Sequence, residues 1–510
     1  TAYIRMNCRF STKVLQLHRC SFCRYSTTTN ILSNSYRIFS QQQIHTSASR
    51  RFNLTVATAL NCTPLFLNQH PQHFGIHVIT ACNQSCKTNL KSTDQRSGYS
   101  TEAKEKSQTM SRPVISDKLK VAKTEAVWGL FAADSLAMPV HWYYDPRDIK
   151  KDYGDWIKGY IAPNGKHPTS ILRLSAVDGS GRGSTSSESS LIGNVILHDK
   201  LKFWNGGSSN NHYHQGMAAG DSTLNAVMAL HEFKTMNRFD PDLTRSEREV
   251  RGAVLEDYVK FMTTPNSHND TYAESFHRSF FQDWVANGKP LSSNELLEFS
   301  EKRSKKMLQE RPDSQLAVIG SLVPAIPWII RNAHKSEMEC VQNTVDFVRL
   351  THPVTSLVAY VECYSRLLHA VINGKDLKSE IMKVLGHSIL GGPANRDRIV
   401  AVREKLMQIP KGSNEKLKEY QMIISTLGSA CYIEGALNSL LFLALECQDD
   451  FESGVLSNAN CGGENCHRGA ALGALLGAAA ANQGPGVPDK FKDGLHSLKS
   501  EILEVVQHLN

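Results

Sequence analysis

The chain has 510 residues and a formal net charge of +8, yet no acidic residue precedes Asp94. Its first 93 residues carry ten Lys plus Arg, which leaves the remainder near −2. The basic balance therefore belongs to the N-terminal stretch and gives no reason to expect a nucleic-acid-binding body.

Residues 1–93 are rich in Arg and Ser and include Ser47-Ala48-Ser49-Arg50-Arg51-Phe52. They read as an organelle transit segment, mitochondrial first, with a cytoplasmic location expected otherwise. A leader without a role stays open as the alternative. Residues 94–113 are polar and charged and read as a linker; 114–510 read as one all-α domain. Six of the twelve cysteines lie in that domain, at 340, 363, 431, 447, 461 and 466. They fall mostly inside helical patterns, as small buried residues do, and indicate no disulfide.

The domain begins with Ser116-Asp117, which can cap a helix running to Met138, where Pro139 stops it. Its stripe Leu119, Ala122, Ala126, Gly129, Ala133, Leu136 is dominated by small residues and implies a tight helix–helix seam. Tyr160–Leu174 suggests a short hairpin. Two loops follow, 178–188 and 205–216, and the glycines of the first lack the strand–turn–helix context of a dinucleotide fingerprint. A helix starts near Asp221-Ser222-Thr223. Further helical patterns cover about 250–263, 292–310, 314–333, 337–350, 354–373, 376–386, 397–408, 415–428, 430–447, 467–482 and 490–508. Alternating Val/Ile strands are scarce, so the fold class is all-α.

Near the C-terminus a polar turn, Asn460-Cys461-Gly462-Gly463-Glu464-Asn465-Cys466-His467-Arg468, feeds a helix of almost nothing but Ala, Gly and Leu. That apolar run is far short of the roughly 20 residues of a membrane span. Gly469, Gly473 and Gly477 recur every four residues and share a face. Each glycine costs roughly 1 kcal/mol against alanine inside a helix, so the row implies close approach of another backbone. The helix N-terminus suits anions and fixed carboxylates.

Four segments place polar groups at the ends of apolar helices: Asp134 through His141, Gly220-Asp221-Ser222-Thr223, Thr351-His352-Pro353, and Gly462 through His467. Taken singly, Asp134 reads equally as a cap on a neighbouring helix, Asp221 as an ordinary N-cap, and His352 as a hydrogen-bonded spacer. Their order and spacing together resemble the ADP-ribosylglycohydrolase family, which includes dinitrogenase-reductase-activating glycohydrolases and the J-crystallins. Ala133-Asp134-Ser135-Leu136-Ala137-Met138-Pro139-Val140-His141 resembles that family's Gly-Asp-Ala-Leu-Gly-x-Pro-x-Glu, and Gly220-Asp221-Ser222-Thr223 its Thr-Asp-Asp-Thr. Gly462-Gly463-Glu464-Asn465-Cys466-His467 is similar to its closing Gly-Gly-Asp-x-Asp-Thr. The wording of residues 138–144 and 466–469 resembles the crystallin-like branch most.

The resemblance implies a central cleft and hydrolysis of a ribosyl glycosidic bond in a small-molecule or protein-linked ADP-ribose-like substrate. It implies catalytic roles for Asp134, His141 and Glu464, with His141 standing where the family has an acid/base Glu. Substrate contacts fall to His352, Gly463 and Asn465, with the helix N-termini near Gly220 and Gly463 receiving a diphosphate. Metal ligation falls to Asp221, Ser222, Glu464, Cys466 and His467. The family's four carboxylates hold two Mg²⁺; here two remain, so one divalent ion is expected at most, Mg²⁺ by resemblance or Zn²⁺ or Mn²⁺ if Cys466 and His467 ligate. The alternative is a non-catalytic, crystallin-like structural or ligand-binding protein on the same fold. What separates the two is whether Asp134, His141, Asp221, Glu464 and His467 converge. For the N-terminal stretch, a fusion of residues 1–112 to a fluorescent reporter is expected to reach mitochondria; an evenly cytosolic reporter removes the transit reading.

Overall fold

Eighteen α-helices run through the residues described by this computed structural model, 116–509 without 176, 178–190, 206–209 and 311–315. The expected targeting segment, the linker and the loop at 178–188 lie outside the described residues. In chain order the helices are α1 (Asp117–Ala137), α2 (Arg147–Tyr153), α3 (Leu201–Asn205), α4 (Leu224–Phe239), α5 (Glu247–Thr263) and α6 (Ser275–Ala286). Next come α7 (Ser293–Glu310), α8 (Ala325–Asn332), α9 (Glu337–Thr351), α10 (Thr355–Ile372), α11 (Leu377–Leu385) and α12 (Gly392–Leu406). The last six are α13 (Asn414–Leu427), α14 (Ile433–Glu446), α15 (Phe451–Asn460), α16 (Asn465–Gln483), α17 (Asp489–Asp493) and α18 (Lys499–Gln507). None is long and apolar enough to cross a membrane.

Local chemistry sets most of these boundaries. Ser116 caps α1 by accepting from the Leu119 amide at 3.3 Å, and Pro139 sits in the 3₁₀ turn Met138–Val140 that ends it. Ser246 and Ser336 open α5 and α9 with full capping boxes to Glu249 and Glu339. Pro324 at the α8 N-cap splits the expected 314–333 helix into a 3₁₀ turn, Ile319–Leu322, and α8 itself. The hairpin expected over 160–174 does not form. Lys166 instead bridges Asn211, and the His167 amide donates to the Asn210 carbonyl at 2.8 Å, so this stretch pairs with the neighbouring loop. Four helices escaped the sequence reading, the short α2 and α3 as well as α6 and α15. The aromatic run of α6 suits a strand on propensity, and only burial of Phe276, Phe280, Phe281 and Trp284 reveals its helical face.

At the centre, α1 and α16 touch backbone to backbone. A Cβ built on Gly473 would lie 2.1 Å from the Gly129 carbonyl oxygen and 2.6 Å from Ala133 Cβ. One on Gly129 would lie 2.0 Å from the Gly473 oxygen, and one on Gly477 2.1 Å from the Glu125 oxygen. The glycine row of α16 thus packs against the small-residue stripe of α1, and both helices are buried on nearly every side. A large apolar core gathers α1, α10, α14 and α16; a second gathers α4 to α7 with Trp142 and Trp204. Residues 140–143 run along their seam: Val140 and Tyr143 belong to the first, Trp142 to the second.

Replacing Gly473 by Ala is therefore expected to destabilise by on the order of 1–3 kcal/mol, outweighing the roughly 1 kcal/mol that Ala gains over Gly in a helix. Gly159→Ala, where an added Cβ meets nothing within 4 Å, serves as the control. Thermal denaturation of the two decides; a Gly473→Ala protein that melts like wild type shows that the close approach is dispensable.

Candidate functional site

The seam brings the turn before α16 against the loop after α1. Gly462 and Gly463 have φ of 63° and 65°, and a Cβ on either would strike a carbonyl oxygen, of Tyr143 at 2.1 Å and of Ser429 at 2.2 Å. Released from that clash, the backbones pair. Trp142 donates its amide to Gly463 O and Gly463 donates to Tyr143 O, both at 2.8 Å, while the Glu464 amide reaches Ser429 O at 2.8 Å. The buried Arg468 guanidinium fixes the turn from within, donating to Asn458 Oδ1 at 2.8 Å and to Gly462 O at 2.9 Å.

This geometry holds Glu464, fully buried, between two imidazoles. His141 Nε2 and His467 Nδ1 each lie 2.8 Å from Glu464 Oε1, and the Trp142 indole N–H donates to Oε2. From His141 the chain continues inward: Nδ1 to His214 Nε2 at 2.7 Å, then His214 Nδ1 to Asp270 Oδ1 at 2.8 Å. Beyond His467, Glu274 Oε1 stands 3.4 Å from Nδ1, and Glu274 Oε2 accepts from Asn225 at 2.7 Å. Trp142 stacks on His141 at 3.9 Å between centroids and is edged by Tyr213 and Tyr272. Its φ of 64° is a strained conformation for a bulky residue, and these contacts hold it there.

Charge follows from burial and neighbours. Burial would lower His467, but the carboxylates of Glu274 and Glu464 raise it to about 10, so it is a cation at neutral pH. Burial favours a neutral Glu464, and His141 and His467 overcome it, holding the carboxyl well below its ordinary range. Glu274 is raised by burial, with His467 opposing. His141 is pushed down to about 3 by burial, against the pull of Glu464. Three contacts join Asp270 to Glu464 through two imidazoles, and two neutral imidazoles supply only two N–H protons. If all three are hydrogen bonds, the chain carries one further proton, and the His141 ring is an unfavourable place to leave it.

The remaining residues singled out from sequence are engaged elsewhere. Asp134 takes the Thr223 amide on one oxygen and the Thr223 hydroxyl on the other, both at 2.7 Å, capping the approach to α4; burial raises it to about 6. Asp270 takes the Leu224 amide at 2.7 Å, so carboxylates of the protein itself meet the start of α4. Asp221 faces the C-terminal segment: His496 Nδ1 is 3.0 Å and Ser497 Oγ 2.8 Å from Oδ1, and Oδ2 accepts from the Ala218 amide. Ser222 Oγ pairs with Ser135 Oγ at 2.7 Å. Asn465 donates to Val140 O and Ala459 O, and the Gly463 amide is used by Tyr143. His352 bonds Thr351 Oγ1 at 2.9 Å and packs on Phe276. Cys466 is buried, its thiol pushed well up, within 4.8 Å of His141 and His214 in ligand-atom terms. Among the described residues, two groups of three side chains could hold an ion: His141, Glu464, His467, and His141, His214, Cys466.

Sequence reasoning missed His214, Asp270, Glu274 and Trp142. His212-Tyr213-His214 stood out only as part of a polar loop. Asp270 and Glu274 both precede α6, a helix not recognised, and carboxylates just before a helix were the available signal.

A sequence model described as ADP-ribosylglycohydrolase matches residues 120–510. Among solved structures the chain is similar to an ADP-ribosylglycohydrolase-related protein complex, at 15% identity and a TM-score of 0.39, covering 77% of this chain and 98% of that one. Comparison with curated protein sequences gives no match.

Acid stability follows from the buried imidazoles. His141 and His352 sit at about 3 and His167 at about 4, against 6.5 when unperturbed. Below 6.5 the unfolded chain takes up protons that the folded protein refuses, so stability falls as pH drops through that window, by roughly 1.4 kcal/mol per pH unit for each such histidine. His467 acts in the other limb: its stabilisation is complete below 6.5 and is lost as pH rises through about 10. Urea denaturation at stepped pH is expected to show both limbs, with His352→Gln flattening the acid one by about one proton. An unchanged slope would mean that His352 is not held neutral.

Proposed function

The chain belongs to the ADP-ribosylglycohydrolase family, and on that premise we propose that it hydrolyses the glycosidic bond at the anomeric carbon of an ADP-ribosyl or related ribosyl group. One observation carries the reading: a buried carboxylate, Glu464, is clamped between His141 and His467, and His141 is backed by His214 and Asp270. Glycosidic cleavage passes through an oxocarbenium-like state that a nearby carboxylate stabilises and that requires proton delivery to the leaving group. Glu464 supplies the negative charge, and the His141–His214–Asp270 chain holds and moves the proton. Trp142, strained and hydrogen-bonded to Glu464, closes the site towards the half-buried Tyr272 and the exposed Tyr144. Substrate entry requires that aromatic wall to shift.

A metal of the family's kind is held to the donors present. An all-oxygen Mg²⁺ shell does not fit, because Asp221 and Ser222 are committed to Ser497, His496 and Ser135. Two alternative groups sharing His141 offer donors that suit one softer ion such as Zn²⁺: His141, Glu464 and His467, where His467 must shed its proton to ligate, or His141, His214 and Cys466. Bound there, it would supply Lewis acidity to a water or a ribose oxygen. Metal analysis after dialysis is expected to give at most one divalent ion per chain, Zn²⁺ over Mg²⁺, lost in Glu464→Gln and retained in Asp221→Ala. Two Mg²⁺ per chain would overturn this assignment.

The non-catalytic reading draws on a different observation, that Glu464 has no exposed surface and both its oxygens are engaged. Hydrolysis assays on ADP-ribosylated peptides, nucleotide–ribose conjugates and other glycosides separate the two. Turnover of at least one is expected, with kcat reduced about 10²- to 10⁴-fold in Glu464→Gln and His214→Asn, the range for loss of acid–base assistance. Absence of turnover on every substrate favours the scaffold reading.

A further inference from the structure

A cavity of about 200 Å³ lies between the loop after α2, the start of α13 and the ends of α14 and α15. None of the groups of the Glu464 network lines it. Its volume is several times the roughly 30 Å³ that one water occupies.

The hydrogen-bond inventory of its walls is unbalanced. The acceptors are already committed. Asp450 caps α15 by taking the Ser453 amide at 3.0 Å and the Ser453 hydroxyl at 2.6 Å, and Glu446 takes Tyr420 OH at 3.1 Å with Arg403 Nε 2.8 Å away. The donors are not. Lys416 is 5% exposed and reaches Glu446 only at 3.6 Å, too far for a hydrogen bond. The Trp156 indole N–H is buried and has no hydrogen-bond acceptor. Lys411 adds a second cationic group at the rim, with no ion-pair partner among the described residues. Lys416 keeps an ion pair with Glu446 but has ammonium N–H groups to spare, and the buried Trp156 N–H is costly unless something in the cavity accepts from it.

We propose that this cavity binds a small organic oxyanion, a carboxylate or phosphate group seated on Lys416 and Trp156 Nε1, with its organic body against the Trp156 and Tyr420 rings. Lys411 closes over it from the rim. The assignment does not rest on the hydrolase reading. The cavity wall includes Asn460, whose side chain pairs with both backbone groups of Ile157 at 2.8 and 2.9 Å.

Calorimetric titration of the full-length protein with inorganic phosphate, ribose 5-phosphate and succinate tests it and distinguishes the two oxyanion sources. Saturable binding of ribose 5-phosphate or of succinate is expected, weakened about tenfold or more in Lys416→Met, as loss of a charge-assisted bond implies. Lys411→Ala and Trp156→Phe, both less buried positions, are expected to weaken it several-fold and guard against a Lys416 variant that fails to fold. No binding of either organic probe overturns the proposal, including the case in which inorganic phosphate alone binds. So does binding that all three variants leave unchanged.

Discussion

Everything at the centre of this protein depends on two helix backbones approaching without side chains between them. Gly129 and Gly473 each leave room only for the other's carbonyl, and Gly477 does the same for Glu125. Ridges of ordinary side chains keep helix axes 8–10 Å apart; a glycine seam brings them closer. Because α1 runs directly into residues 138–143 and α16 begins directly after Glu464, their register decides whether His141 can reach that carboxylate. Packing and chemistry are therefore one problem here. The glycines would lower the stability of an isolated helix, and the contact they permit offsets that cost.

The second determinant is how buried charge is compensated. A lone carboxylate in a water-free site would neutralise itself by taking up a proton. Glu464 stays ionised because His141 and His467 flank it, and His467 stays charged because Glu274 and Glu464 flank it in turn. The cation at this position is thus part of the chain. Around Glu464 the neighbouring donors are largely imidazole nitrogens, of His141 and His467 directly and of His214 through His141.

A third consequence concerns the N-termini of helices. Their amide groups attract anions, and at α4 the anions are the protein's own: Asp134 meets Thr223 and Asp270 meets Leu224. Asp270 also orients His214, so one carboxylate both anchors a helix and terminates the histidine chain. The capping interactions and the site geometry share atoms.

The sequence by itself determined the helical class, the start and stop of α1, and the glycine face of α16 and its partner stripe; it named His141, Glu464 and His467 but left open whether they meet. Each of these follows from local rules: capping residues, proline placement, four-residue spacing and motif order. It left α2, α3, α6 and α15 unseen: α2 and α3 are only seven and five residues long, and the aromatic content of α6 competes with its periodicity. It also expected Asp221 beside Glu464, whereas the structure turns Asp221 to His496 and Ser497, residues some 275 positions away. Only the tertiary structure decided that His214, Asp270 and Glu274 complete the site. They come from a loop and from the approach to a helix far from either motif, and nothing in their own neighbourhoods distinguishes them from capping or surface residues. Periodicity and capping act over a few residues, whereas compensating a buried charge depends on which distant groups the fold brings within about 3 Å.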